Sequence, residues 1–355
     1  MADTLQQNAA GGVNAVEGAQ QQTQQTQQQV QQTQPQAQGA GTNGTFSQGA
    51  AAGAQGSGRP SFDEMLKDGY QAEFDRRVAK AIQTAQGRFS DPQVAELKAQ
   101  LDGYIRKEAA LRAGVGLHYQ LLPECIYPIF ASSVHESVCV PLDGGRTFSV
   151  RDLPIVLPVL DKASAVLIGC GMDNNESTQE FLHSVMQAVY VPLVIDADGI
   201  NALAQHIHWL EESEAEIILT PHVKEFSRLS GLTVEEIVQD SETAAREFSL
   251  SHPDTVLVLK SHRTIIAQNG ELYENIAGNS GMAKGGSGDV LAGIIGSLAA
   301  QGAKPLEAAV MGVHIHALAG DIAAAKLSRT AMLPSDIIAS LPEVFAKAED
   351  FRDNG

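Results

Sequence analysis

Apolar residues recur along this chain with two different periods, and the change of period divides it. Between Phe62 and Ile82 they return every three or four residues, as on one face of a helix, and a second stripe of this kind follows Pro92. From Ala109 onward, short β-branched runs alternate with amphipathic stretches of helix length. This alternation predicts an α/β fold, a mostly parallel sheet with helices on both faces and ligands at the carboxyl ends of its strands.

The predicted elements of the α/β part are short. One helix should end at Gly114, and others should span Thr178–Ala188 and Val234–Ser249. Strands are predicted over residues 115–121, 137–140, 165–169, 193–196, 216–220 and 255–259.

The N-terminal third has a different character. Residues 1–60 are rich in Gln, Thr, Ala and Gly with few large apolar side chains, so we expect a disordered tail. Residues 61–107 open with a Ser61–Glu64 capping box and predict isolated helices that pack or self-associate. Over about thirty residues this segment and its tail resemble the N-terminus of phage capsid-scaffolding (minor structural) proteins, which implies helical self-association.

Composition narrows the functional classes. A formal net charge of −18 disfavours nucleic-acid partners. The three cysteines, Cys125, Cys139 and Cys170, lack metal-ligand spacing and predict reduced, buried thiols. With no signal peptide and no apolar run of membrane-spanning length, we expect a soluble cytoplasmic protein without a membrane partner.

The clearest candidate for chemistry is the glycine-rich stretch from Gly278 to Asp289, which leads into an apolar helix. Gly285, Gly286 and Gly288 allow the backbone to approach a phosphate, and the helix N-terminus favours an anion. A carboxylate beside such an anion hole has the position of a kinase-type general base. Alternatively, the glycines only form a loop and Asp289 is an ordinary first-turn residue.

Polar or glycine residues also follow four predicted strands: Gly171, Asp198, His222 and Lys260. Taken singly, these could be a tight turn, a helix N-cap, a loop histidine and a solvated lysine. Equivalent strand ends meet at one edge of a parallel sheet, so together they predict one site.

These motifs, in this order, resemble the ADP-dependent NAD(P)H-hydrate dehydratase family of the ribokinase-like superfamily. The resemblance spans about residues 109–345 and rests on Gly169–Gly171, Asp196–Leu203, Thr220–Leu229, Lys284–Gly293 and His314–Asp321. It implies a lyase that repairs the S epimer of hydrated NADH or NADPH. ADP, or ATP in some relatives, phosphorylates the ring hydroxyl with Mg²⁺ present; phosphate then leaves, the double bond returns and AMP remains from ADP.

The resemblance also implies roles for individual residues. Asp289 corresponds to the catalytic base and a substrate contact, and Gly171 and His222 to further substrate contacts. Asp198 and Asn201 lie near the phosphates and could orient metal-bound water. The positions that correspond to nucleotide contacts are Lys260, Ser261, His262, Arg263, Thr264, Gly285, Gly286 and Gly288, with Ser261 and His262 departing from the family pattern.

One departure concerns the whole domain. The family opens with a central strand and a substrate-contacting Gly-Ala pair, whereas residues 61–107 offer no such strand, so we predict a dehydratase domain over 108–355 that lacks it. Two alternatives stay open: a small-alcohol kinase of the same superfamily, and an inactive fusion that self-associates. The family resemblance suggests a homotetramer, which residues 1–107 could obstruct.

Overall fold

The computed structural model describes residue 103 and residues 105–133, 136–143 and 145–354. The predicted tail (1–60) and nearly all of the predicted helical segment (61–107) lie outside these residues, so both stay predictions. The described part begins with a helix, α1, that covers residues 105–112. Gly114 follows with φ +103°, a left-handed conformation that glycine adopts readily and that ends the helix where the sequence predicts.

A six-stranded sheet forms the centre of the fold, in the order β3-β4-β5-β6-β7-β8. The first four strands of that order are mutually parallel, which confirms the predicted mostly parallel sheet. The strands are β3 Val166–Ile168, β4 Leu193–Ile195, β5 Ile217–Leu219, β6 Thr255–Leu259, β7 Thr264–Gln268 and β8 Glu271–Asn275.

The antiparallel pair β7 and β8 at the sheet edge was not predicted. Asn269 and Gly270 connect the two strands, and both have positive φ, +46° and +80°. Asn-Gly is the favoured dipeptide for a two-residue hairpin turn of this geometry. The signal was therefore present in the sequence, but exposed polar positions in β8 weaken its strand pattern.

Two further strands form a separate parallel sheet, β1 Tyr119–Pro123 and β2 Val138–Leu142, joined through helix α2 Tyr127–Ser133. The predicted strand over 115–121 is wrong at its start, because the chain is still turning after Gly114 and enters β1 only at Tyr119. In the described residues β1 and β3 share no ladder.

Helices cover both faces of the large sheet, as predicted. On one face α10 (Ser287–Ala300) packs over β3 and β4, and α11 (Pro305–Leu327) packs over β5 to β8, with α1 and α12 (Pro334–Asn354) against them. On the other face, the main apolar core is built from α4 (Glu176–Ala188), α7 (Val223–Ser230) and α9 (Ser241–Ser251). Alternate strand residues enter the two cores, as the pleat requires.

The single helix predicted over Val234–Ser249 is wrong. Asp240 leaves helical geometry and its carboxylate accepts a hydrogen bond from the Thr243 N–H (3.0 Å), so it caps a new helix. Two helices result, α8 Val234–Gln239 and α9. The remaining helices are α3 Leu153–Leu160, α5 Asp198–Leu203 and α6 Trp209–Glu212, with 3₁₀ turns at Val150–Asp152 and Ser280–Met282.

Two sequence-based expectations need correction. By length and composition α11 could cross a membrane, although no such run was expected; half of its most apolar window is buried, and it packs against the sheet as a core helix does. The three cysteines are thiols, as predicted, but Cys125 is exposed and the other two are only partly covered, so the prediction of burial is wrong.

Candidate active site

An ion pair lies at the carboxyl ends of the parallel strands. Asp196 directly follows β4 and Lys260 directly follows β6, and Lys260 Nζ lies 2.7 Å from Asp196 Oδ1. The Lys260 side chain is only 19% exposed and that of Asp196 only 4%. Strand direction therefore brings together two residues that are 64 positions apart in sequence.

Both members of this pair are charged. Burial alone would raise the pKa of Asp196, but the Lys260 ammonium, by charge and by hydrogen bond, holds that pKa below its ordinary value. Burial alone would lower the pKa of Lys260, and the Asp196 carboxylate holds it above its ordinary value. The site therefore contains a buried cation whose charge is compensated by its neighbour.

The backbone around Asp196 is unusually close-packed. Gly169, after β3, has φ +113°, and a Cβ there would lie 2.1 Å from the Asp196 carbonyl oxygen. Ala197 has φ +50°, which is uncommon for a residue with a side chain. This conformation turns the chain between Asp196 and the start of α5 at Asp198. Gly171 also has positive φ, +69°, as expected of a tight turn.

The glycine-rich loop is anchored at both ends by side chains from outside it. The Gly278 N–H and the Asn279 amide each donate to the Asp321 carboxylate at 2.9 Å. Lys284 Nζ donates to the Thr330 carbonyl at 2.8 Å. At its C-terminal end Gly286 has φ +95° and α10 begins at the next residue. The loop thus presents the N-terminus of α10, where the first N–H groups have no intrahelical acceptor.

Asp289 lies in the first turn of α10 and is largely buried. Its Oδ1 lies 2.6 Å from Arg106 Nη1, and Arg106 Nη2 also donates to the Cys170 carbonyl at 3.3 Å. Burial raises the pKa of Asp289 above the ordinary carboxyl value, and the Arg106 guanidinium offsets part of that rise. The carboxylate is therefore a stronger base than an exposed aspartate.

Gly293 explains how Arg106 reaches this carboxylate. A Cβ at Gly293 would lie 2.5 Å from the Arg106 carbonyl oxygen and 3.1 Å from Ala109 Cβ, so only glycine lets α1 cross α10 there. Gly293 is one helical turn after Asp289, on the same face. The close crossing places the Arg106 side chain over Asp289.

His222 is the N-cap of α7. Its Nδ1 accepts a hydrogen bond from the Glu225 N–H at 3.1 Å, which places the ring proton on Nε2. Burial, followed by the charge of Lys260, lowers the pKa of His222. The side chain is 52% exposed, and its Nε2 lies 3.4 Å from Glu225 Oε1.

The predicted nucleotide segment Lys260–Thr264 divides into an inner and an outer part. A Cβ on Gly288 would lie 3.2 Å from Lys260 Nζ, so this lysine borders the loop of α10. In contrast His262 and Arg263 are exposed between β6 and β7, and Arg263 pairs with Glu274 (3.1 Å) on the surface. Ser261 and Thr264 are half-buried.

Asp198 and Asn201 each accept a hydrogen bond from a residue not yet mentioned. Asp198 Oδ2 accepts a hydrogen bond from the Asp173 N–H at 3.0 Å, and Asn201 Oδ1 accepts one from Arg228 Nη1 at 2.8 Å. Among the described residues, no group of three or more His, Cys, Asp or Glu side chains could hold a metal ion.

Sequence reasoning missed two members of the site, Asp196 and Arg106. Asp196 carries the same signal as the predicted residues, since it directly follows a strand. The N-cap interpretation of Asp198 is wrong, because Ala197 is the N-cap and Asp198 is the first residue of α5. Arg106 has no local signal, because its contact with Asp289 joins residues 183 positions apart.

A family model described as NAD(P)H-hydrate dehydratase matches residues 103–343, which is 241 of the 355 residues. The chain belongs to the NAD(P)H-hydrate dehydratase family. The match begins five residues before the domain boundary predicted at residue 108 and so includes Arg106. The predicted boundaries themselves stay predictions.

Relatives of this hydrate dehydratase family member include proteins with two different descriptions. The bifunctional NAD(P)H-hydrate repair enzyme of Moorella thermoacetica is 37% identical over 68% of this chain and 46% of its own length. The ADP-dependent (S)-NAD(P)H-hydrate dehydratase of Neisseria meningitidis is 39% identical over 45% of this chain and 55% of its own. The chain thus spans about half the length of the curated relatives it matches.

A solved structure shares the fold. The ADP/ATP-dependent NAD(P)H-hydrate dehydratase of Bacillus subtilis, co-crystallized with ATP and Mg²⁺ and soaked with CoA, superposes with a TM-score of 0.60 at 27% identity. The superposition covers 70% of this chain and 87% of that one. This agreement confirms the predicted ribokinase-like α/β fold.

Proposed function

We propose that this protein dehydrates the S epimer of hydrated NADH or NADPH, with ADP or ATP as phosphoryl donor. The observation that carries the proposal is the buried Asp289 carboxylate at the N-terminus of α10, in a chain of this family. The ring hydroxyl gives its proton to Asp289 and its oxygen attacks the terminal phosphoryl group, releasing AMP or ADP. The phosphate ester then leaves as inorganic phosphate while the neighbouring carbon loses a proton, which restores the double bond.

The geometry of α10 suits this role for Asp289. Its raised pKa moves the carboxylate toward the working pH, where general-base catalysis is most effective. The helix N-terminus beside it stabilises the negative charge that develops on the transferred phosphoryl group. A substrate hydroxyl held between the Asp289 carboxylate and the helix N-terminus is deprotonated and phosphorylated with little movement of the hydroxyl or the carboxylate.

Lys260, Gly285, Gly286 and Gly288 supply the phosphate-facing surface of the proposed nucleotide site. Lys260 retains its proton and lies next to Gly288, so it compensates phosphate charge as well as that of Asp196. Ser261, His262, Arg263 and Thr264 border the site on its outer side, where an adenosine group would extend. We propose that Mg²⁺ arrives with the nucleotide and neutralises phosphate charge, with Asp198 and Asn201 in contact with its water ligands.

Gly171 and His222 belong to the substrate side of the proposed site. The His222 Nε2–H donates to the nicotinamide part of the substrate, and a neutral ring does this without adding a proton source that could reverse the elimination. Gly171 leaves room for the ring at the end of β3. We propose a cytoplasmic, reducing environment for this enzyme, in which its cysteines stay reduced. A homotetramer, or self-association through 61–107, stays a prediction.

A coupled assay tests the proposal. Purified full-length protein is mixed with hydrated NADPH, Mg²⁺ and ADP or ATP, and the dihydronicotinamide absorbance and AMP are followed together. We expect one AMP for each NADPH recovered with ADP, and a loss of about 10²–10⁴-fold for Asp289→Asn. Asp336→Asn is the matched control, because Asp336 caps α12 on the surface, where its carboxylate accepts the Leu333 N–H at 2.7 Å.

The assay also separates the alternatives. A stable phosphorylated alcohol without recovery of a double bond would identify a kinase of the same fold. Absence of any nucleotide consumption by a cooperatively folding protein would identify an inactive one. Either result would overturn the proposed dehydration.

A further inference from the structure

Helix α7 begins with an unusual capping box. The Glu225 N–H donates to His222 Nδ1 at 3.1 Å, and Glu225 Oε2 accepts the His222 backbone N–H at 2.8 Å. Capping boxes normally begin with Ser or Thr, and histidine is not among the favoured N-cap residues. A histidine at this position therefore indicates a task besides capping.

Helix α8 provides an internal comparison. Its capping box consists of Thr233 and Glu236, and both residues are exposed. A single oxygen of Glu236, Oε2, accepts the Thr233 backbone N–H and the Thr233 hydroxyl, both at 2.8 Å. Because this box needs only one acceptor atom from the glutamate, a glutamine would serve equally well.

Glu225 differs from Glu236 because both of its oxygens face His222. Oε2 accepts the backbone N–H, and Oε1 lies 3.4 Å from the ring Nε2. Since Nδ1 accepts from the Glu225 N–H, the neutral ring carries its proton on Nε2. The carboxylate therefore faces two donors and offers an oxygen to each, whereas a glutamine has a single acceptor oxygen.

The carboxylate of Glu225 is also buried, with 8% of its side chain exposed. Burial raises the pKa of Glu225, and the Lys260 charge offsets part of that rise. Removing a carboxylate from water costs free energy, and Glu236 shows that a capping glutamate can stay at the surface. The burial of Glu225 is therefore a cost that capping alone does not require.

Glu225 lies beside the candidate active site. His222 forms a parallel bridge with Lys260, and the Lys260 N–H donates to the Pro221 carbonyl at 2.8 Å. The start of α7 is thus fixed to the end of β6, where Lys260 pairs with Asp196. A side chain that controls the His222 ring here controls a group at the site.

The His222 ring keeps the capacity to bind a ligand. Its Nε2 lies 3.4 Å from Glu225 Oε1, which is longer than an ordinary N–H···O hydrogen bond. The residue is exposed, in contrast to Glu225. The Nε2–H is therefore attracted by the carboxylate and still able to donate to a second acceptor.

We propose that Glu225 is a positioning residue that acts through His222. It holds the ring at both nitrogens, Nδ1 through its backbone N–H and Nε2 through its carboxylate, and so fixes the direction of the Nε2–H. Glu225 has this role within the proposed function, on which the inference rests, since there the His222 Nε2–H donates to the nicotinamide part of the substrate.

Binding of NADPH, the product of the proposed reaction, tests the inference without turnover. With full-length protein and isothermal titration calorimetry, we expect Glu225→Gln to raise the Kd about tenfold, because the glutamine can accept from only one of the two donors and the ring loses its orientation. Glu236→Gln is the matched control, the same substitution in the capping box of α8, and should bind like the parent.

A double substitution distinguishes a positioning residue from a direct contact. His222→Ala should also weaken NADPH binding about tenfold, because it removes the donor. If Glu225 acts only through the ring, adding Glu225→Gln to His222→Ala should change the Kd by no more than about twofold. Two independent contacts would instead give losses that multiply.

Nitrogen NMR of histidine-labelled protein gives a readout that needs no ligand. In the parent, the His222 signals should show a neutral ring with its proton on Nε2. In Glu225→Gln the amide NH₂ can face the ring and donate to an unprotonated Nε2, so we expect the signals to shift toward the other tautomer. A role in capping alone would leave these signals unchanged.

The outcomes separate this inference from the proposed function. Parent-like His222 signals in a Glu225→Gln protein that melts cooperatively would overturn the inference, and so would losses of NADPH affinity that multiply in the double variant. If the parent does not bind NADPH, the NMR signals alone decide. A failure of the proposed function alone would leave the expected NMR and binding results in place, with no hydrated NADPH dehydrated.

Discussion

Asp289 and Lys260 are the two residues on which the site depends, and each is held by one buried partner of opposite charge. Arg106 lies 2.6 Å from Asp289, and Asp196 lies 2.7 Å from Lys260. In a poorly solvated site, such pairing determines both the charge state and the position of a side chain. Changing one partner should therefore affect the other in a direction that can be stated in advance.

Arg106→Met should move the acid limb of the kcat/KM profile to higher pH. The guanidinium lowers the pKa of Asp289, so its removal raises that pKa further and the basic form is lost at a higher pH as acid is added. Arg263→Met is the control, because Arg263 pairs with Glu274 on the surface. An unchanged acid limb in Arg106→Met would show that Asp289 is not the titrating base.

Lys260→Met should destabilise the protein by about 3–5 kcal/mol, because it leaves the Asp196 carboxylate buried without its cation. Lys326→Met breaks the solvent-exposed pair with Glu343 and should lower the free energy of unfolding far less. Denaturant unfolding of both variants measures the difference. Equal losses would mean that the Asp196–Lys260 pair is solvated in solution.

At the scale of elements, helix α10 carries Asp289, the proposed base, and also Gly293, whose close contact with α1 positions Arg106. Gly293 and Gly296 lie in the same helix but meet different surroundings: a Cβ would lie 2.5 Å from the Arg106 carbonyl at the first and 3.9 Å from Leu167 Cβ at the second. The same glycine-to-alanine substitution is therefore expected to destabilise the protein at Gly293 and to stabilise it at Gly296.

Gly293→Ala should cost about 1–3 kcal/mol, because α1 must move away from α10. Gly296→Ala should be stabilising by up to about 1 kcal/mol, because alanine favours the helix and has space. Thermal melts compare the two variants with the parent. Loss of stability in both, by similar amounts, would contradict the close crossing of α1 and α10.

His316 of α11 contacts the first residue of α10 and makes the stability of the protein depend on pH. It is buried, its Nε2 lies 3.3 Å from Ser287 Oγ, and burial lowers its pKa to about 4. In the unfolded chain the pKa of His316 is about 6.5, so between that pH and about 4 the unfolded chain binds more protons than the folded protein. The free energy of unfolding therefore falls as the pH is lowered through this window, by at most about 3 kcal/mol. His118, with a similarly lowered pKa, contributes in the same direction.

His316→Gln should therefore flatten the stability profile between pH 6.5 and about 4, while His118 leaves a residual slope. Urea unfolding at several pH values, on parent and variant, provides the comparison. Parallel profiles would show that His316 is accessible to protons in the folded protein.

At the scale of the whole molecule, most of the fold could be predicted from the sequence. The strands β3 to β6 are short buried runs, and their pattern predicts a parallel sheet with ligands at one edge. The edge itself brings Lys260 next to His222, whereas Asp289 comes from the start of α10 and not from a strand end. The break at Asp240 and the hairpin at Asn269 depend on single turn residues inside longer patterns, which is why periodicity misses them.

The contacts that could not be predicted are those that depend on three-dimensional packing. Arg106 reaches Asp289 only because Gly293 lets two helices cross closely, and no local pattern encodes that crossing. Predicting the ion pair of Asp196 with Lys260 would require knowing which of two neighbouring aspartates, Asp196 or Asp198, points inward. The turn at Ala197 decides this.

The most direct test of the central claim follows one oxygen atom. Hydrated NADPH that carries heavy oxygen in its ring hydroxyl is turned over with full-length protein, Mg²⁺ and ADP, and the inorganic phosphate is analysed by mass spectrometry. Phosphorylation of that hydroxyl predicts that the heavy oxygen leaves in the phosphate. Label found in water instead, with unlabelled phosphate, would mean that ADP is merely hydrolysed or that the hydroxyl departs directly, and would contradict the proposed chemistry at Asp289.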